Sequence, residues 1–94
     1  MGALADKIRD AVRAERYLFG SHAGQRLRER RIVGWQVADG VETSTLTRER
    51  PDAIPNPAVE FDQILPDGTH FKAVWSWIAE DRTAKLVTVH FYDR

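Results

Sequence analysis

The chain has 94 residues, no cysteine, one methionine, and fourteen basic side chains matched by fourteen acidic ones. That length suits one domain around one core, and the lack of cysteine excludes disulfides and thiolate metal sites. No apolar run is long enough to span a bilayer and the N-terminus lacks the apolar centre of a signal peptide, so the sequence predicts a single cytoplasmic domain over residues 1–94 with no membrane partner.

The charge is unevenly distributed. Residues 1–31 hold eight Lys/Arg against four Asp/Glu, and residues 32–94 hold six against ten. A polyanion would therefore meet a local basic surface in the first third of the chain. Mutual neutralisation of the two halves is the plainer alternative.

Leu4, Ile8 and Val12, with Ala11, recur at helical spacing and predict an amphipathic helix over Ala3 to Arg16. Tyr17 to Gly20 reads as a short extended stretch. Ser21 is the expected N-cap of a second helix that runs to about Arg31, with Leu27 and Ala23 toward the core and Gly34 as its stop. Trp35 to Gly40 predicts a short third helix closed by Gly40. Residues 1–40 thus read as helical and 41–94 as sheet.

Val41 to Leu46 or Arg48 has strand composition, and Arg50 to Pro57, with three prolines, reads as a loop. The next strands alternate Val59, Phe61 and Leu65, then Phe71, Ala73, Trp75 and Trp77, then Val87, Val89 and Phe91. A three-residue Pro66-Asp67-Gly68 turn pairs Phe61 with Ala73 and Val59 with Trp75, placing the large apolar residues on one face. A three- or five-residue turn around Glu80-Asp81-Arg82 keeps Val87, Val89 and Phe91 on that face. The expected fold is α+β, with two or three N-terminal helices packed on one face of a four-stranded antiparallel meander.

The same register sets Asp62 opposite Lys72, Lys72 opposite His90 and His70 opposite Tyr92 on the other face. A base, an acid and a cation on one surface are what phosphodiester cleavage without a metal needs. An ordinary solvated sheet face is the competing reading. On the second helix His22, Arg26 and Arg30 fall four residues apart along one stripe, with Arg28 and Arg31 adding charge nearby. The three histidines show no metal-ligand spacing, so neither metal nor cofactor is expected.

The run SHAGQRLRERRI, with Val37 and the closing VTVHFYD, resembles the bacterial family known as domain of unknown function 4258. That likeness spans Tyr17 to Tyr92 and implies a fold similar to the RelE/ParE and BrnT toxins, within a wider group of small ribonucleases whose helix and concave sheet face meet a nucleic-acid substrate, often an RNA. His22, Arg26 and Arg30 match the helix motif; Thr88 and His90 fall in the final-strand motif, with Tyr92 two residues on. The resemblance implies a metal-independent endoribonuclease with RNA as substrate and a neighbouring antitoxin or other protein as partner. His22, Arg26, His90 and Tyr92 are then the expected catalytic residues, and Arg28, Arg30, Arg31 and Lys72 the expected phosphate or RNA contacts. The alternative is a non-catalytic protein- or nucleic-acid-binding module in which the His-Arg-Arg helix is structural.

Overall fold

A computed structural model of the chain describes residues 2–92. Three helices, α1 (Ala3–Arg13), α2 (Ser21–Glu29) and α3 (Gly34–Asp39), accompany five strands, β1 (Tyr17–Phe19), β2 (Thr45–Arg50), β3 (Ala58–Ile64), β4 (His70–Ile78) and β5 (Thr83–Phe91). The sheet order is β1-β5-β4-β3-β2. The α+β class and the antiparallel meander of β2 to β5 match the expectation; the strand count does not. Tyr17 to Phe19 forms a fifth strand, parallel to β5, with Tyr17 opposite Ala84 and Phe19 opposite Leu86. Three residues are too few for an alternation signal, and a parallel partner some 67 positions away is set by tertiary packing alone.

α1 buries Ile8, Ala11 and Val12 against the sheet, as its periodicity predicts, but Ala5 takes the buried place expected for Leu4, which is only partly covered, and the helix ends at Arg13 rather than Arg16. The buried α1 residues join a core centred on the fully buried Trp75, Phe61 and Phe71. Within it Gln63, 1% exposed, donates to the Val37 carbonyl (2.8 Å) and accepts from the Trp75 indole (3.0 Å), fastening α3 to the sheet.

α2 differs from the expectation at both ends. Gly20, not Ser21, occupies the N-cap, and no side chain caps the helix. The Gly20 amide instead donates to the Leu86 carbonyl, so the chain passes directly from the β1 ladder into the helix. At the other end Arg31 takes a left-handed conformation, φ 58°. The Ile32 amide bonds to the Leu27 carbonyl and the Arg31 amide to the Arg28 carbonyl, which completes a Schellman ending. Gly34 is therefore not a stop: it opens α3 and lets the Phe19 ring close in, where a Cβ would lie 2.2 Å from a ring carbon.

The β3–β4 register is as predicted, with Val59 opposite Trp75, Phe61 opposite Ala73 and Asp62 opposite Lys72. The β4–β5 turn is different. Ile78 pairs with Thr83, leaving four residues in the loop, and the parity this would break is restored by a bulge, since Trp75 pairs with Leu86 but Val74 with Thr88. Ala84 and Leu86 therefore fill the core positions nearest the turn, and Val87, expected inside, is 39% exposed. Beyond the bulge Lys72 faces His90 after all. Among the described residues no helix is long and apolar enough to cross a membrane.

Candidate functional site

The helices cover one face of the sheet, and the opposite face is aligned in rows by the strand register. Thr45, Asp62, Lys72 and His90 form one row; Arg48, Glu60, Val74 and Thr88 form the next. β1 pairs with only the first half of β5, and α2 packs beside β5, its Ala23 and Leu27 buried in the core. The residues of α2 one position before each of these two, His22 and Arg26, consequently reach the border of the open face.

There they line a groove of about 500 Å³ together with Arg50, Glu60, Lys72, Val74, Thr88, Val89 and His90. Side chains of α2 and β5 thus meet on one surface. Neither the His22 nor the Arg26 side chain forms a hydrogen bond or ion pair with another described residue. They are not fastened to acids of the sheet side such as Glu42, Glu49 or Asp62, as they would be if the helix stripe served only to hold α2 in place. Glu42 instead pairs with Arg13 at 2.9 Å, and Glu49 accepts the Ala5 amide at 2.9 Å.

At the floor of the groove lies Glu60, whose side chain is 11% exposed. Its Oε2 stands 3.0 Å from Arg50 Nε and its Oε1 3.7 Å from Lys72 Nζ. The cross-strand partner of Lys72 is Asp62, yet the ammonium leans to Glu60, and Asp62 Oδ2 instead faces His70 Nδ1 at 3.4 Å. The other Asp62 oxygen is buried without a hydrogen-bond partner among the described residues. Tyr92, one residue beyond β5, meets the His90 ring edge to face at 6.2 Å. Partial burial, then the negative charges of Asp62 and Glu60, push its phenol above the usual value, so it keeps its proton at neutral pH.

The rest of the predicted set lies elsewhere. Arg30 stacks its guanidinium 4.1 Å above the Phe91 ring and, with Arg31, lines a separate cleft beside the Pro66-Asp67 turn. The four-residue stripe drifts around the helix, and its last member lies over the covered-face residue Phe91. Arg28 is exposed near Gly24, away from the groove. Tyr92 borders the site electrostatically without lining the groove.

Sequence reasoning missed Glu60 and Arg50. Glu60 carried a signal, since it alternates with the apolar β3 residues and shares a face with Asp62. Arg50 carried none, because the prolines that follow draw it into the loop. Its place as the last residue of β2, opposite Ala58, is what brings it beside Glu60.

Among the described residues no three His, Asp or Glu side chains gather closely enough to hold a metal ion. What the groove holds is a carboxylate and two imidazoles, groups able to exchange protons, with several cations able to neutralise an anion and a phenol nearby. No family model matches the chain, and neither a curated protein nor a solved structure is significantly similar to it.

Proposed function

We propose that the groove cleaves RNA by general acid–base chemistry, as the likeness to domain of unknown function 4258 and the RelE-type toxins implies. The observation that carries the reading is the convergence of His22 and Arg26 from α2 with Glu60, Lys72 and His90 from the sheet around one open groove. Glu60 takes the proton of a ribose 2′-hydroxyl, and the freed oxygen attacks the adjacent phosphorus. The bond from phosphorus to the 5′-oxygen breaks, and His90 supplies the proton to that leaving oxygen. Arg26 and Lys72 neutralise the charge that grows on the phosphorane, and Tyr92 offers a ring for a neighbouring base. The products are a 2′,3′-cyclic phosphate and a free 5′-hydroxyl. A cytoplasmic site of action and a protein antitoxin as partner belong to the same proposal.

A second reading draws on Arg30. Its stacking on Phe91 gives the last member of the motif a part in holding α2 to the sheet, as in a module that binds RNA without cutting it. Both readings are tested by incubating the purified protein with single-stranded RNA in the presence of a chelator. Wild type is expected to leave cyclic phosphate ends, with the His22→Ala/Arg26→Ala double variant and Glu60→Gln each slower by ~10²–10⁴-fold. RNA bound but intact selects the binding module, and RNA neither bound nor cut overturns both.

A further inference from the structure

Arg50 stands at the end of β2, an edge strand, with its Nε 3.0 Å from Glu60 Oε2 and its side chain still 46% exposed. A guanidinium carries five N–H donors in a planar fork, and it can hold one anion along its Nε edge and a second along its terminal nitrogens. No described residue bonds to the terminal nitrogens of Arg50, and Arg50 is one of the residues that line the groove. Lys72, on the far side of the carboxylate, is a point charge 3.7 Å away and fixes no orientation. The Glu60 backbone beneath them is held by the Thr47 hydroxyl, which donates to its carbonyl at 3.0 Å where β2 bulges.

Resting on the reading of the groove as an RNA site, we infer that Arg50 is a second phosphate ligand that also positions the base. Its Nε edge holds the Glu60 carboxylate while its terminal nitrogens take a non-bridging oxygen of the phosphodiester. One rigid group then sets the distance between the carboxylate and the phosphate it acts beside. The substrate consequently crosses the sheet from α2 to the β2 edge, with His22 and Arg26 at one border and Arg50 at the other.

The test uses two variants and two measurements. Binding of a 2′-deoxy-substituted single-stranded oligonucleotide, which lacks the attacking hydroxyl, is followed by fluorescence anisotropy across a salt series. Loss of one phosphate contact reduces the slope of log K against log salt by ~0.7. Arg50→Gln is expected to show that reduction, and Lys7→Gln, a charge change on the exposed side of α1, is expected to show none. Arg50→Lys keeps the charge and the slope but lacks the fork. It is expected to retain KM while kcat on RNA falls ~10²-fold, the cost of about an ångström of misplacement.

An unaltered slope in Arg50→Gln, or wild-type kcat in Arg50→Lys, overturns the inference and leaves the RNA reading standing. A wild type that binds no oligonucleotide overturns both. A wild type that binds without cleaving removes the base-positioning role, and the salt slope still decides the phosphate contact. Should Arg50→Gln fail to fold, the conservative variant decides the matter through its split between kcat and KM.

Discussion

Replacing Gln63 by Leu conserves side-chain volume and removes a buried bridge. In the wild type the amide donates to the Val37 carbonyl at 2.8 Å and accepts from the Trp75 indole at 3.0 Å, with Trp75 and Val37 fully buried. The variant strands both groups. Each orphaned buried group costs about 1–3 kcal/mol, and the apolar side chain in a dry site offsets about 2 kcal/mol. The expected loss is therefore about 2 kcal/mol, a fall in Tm of about 8–16 °C for a chain of this size. Urea unfolding followed by far-ultraviolet circular dichroism measures it. The same substitution in a Trp75→Phe background, which has no indole N–H to strand, is expected to cost at least ~1 kcal/mol less, a coupling that a double-mutant cycle isolates. A Gln63→Leu protein within ~0.5 kcal/mol of wild type, the usual range of surface substitutions, or an absence of coupling, would refute the reasoning.

Two other perturbations probe the bulge and the charge pairs. Leu86→Ala is expected to destabilise by ~2–5 kcal/mol because Leu86 fills the core, whereas Val87→Thr on the open face should stay within ~0.5 kcal/mol; the reverse order in denaturant unfolding would mean the bulge is absent. The Arg13 hydrogen bond holds the Glu42 carboxyl below its ordinary pKa. Its contribution to stability is therefore present above the ordinary carboxylate value and is lost as pH falls through the depressed one. Glu42→Gln should lower Tm slightly at neutral pH, and its Tm-against-pH curve should merge with that of wild type in acid; curves that diverge in acid contradict the pairing.

Much of the fold was legible because it rests on local rules. The 3.6-residue period of Leu4, Ile8 and Val12 specifies a helix whatever it packs on, and the period of two around a Pro-Asp-Gly turn specifies a hairpin and its register. The register in turn placed Asp62, Lys72 and His90 on one face, and the spacing of His22 and Arg26 placed both on one stripe. These are properties of neighbours in sequence, and the chain itself determines them.

What the tertiary structure decided concerns residues far apart in the chain. The pairing of Tyr17 to Phe19 with β5, the bulge at Val87 that repairs a four-residue turn, and the left-handed Arg31 in place of the expected glycine stop all answer to packing constraints outside any local window. The site followed the same division. Helical spacing put His22 and Arg26 on one stripe and strand alternation put His90 on the open face, but the joining of α2 to that face depends on β1 ending halfway along β5 and leaving room for the helix beside it. The Glu60 carboxylate between Arg50 and Lys72 depends on three strands meeting in one register. A side chain's residue type is written in the sequence, while its partners are set by where the whole chain finds enough buried surface to fold.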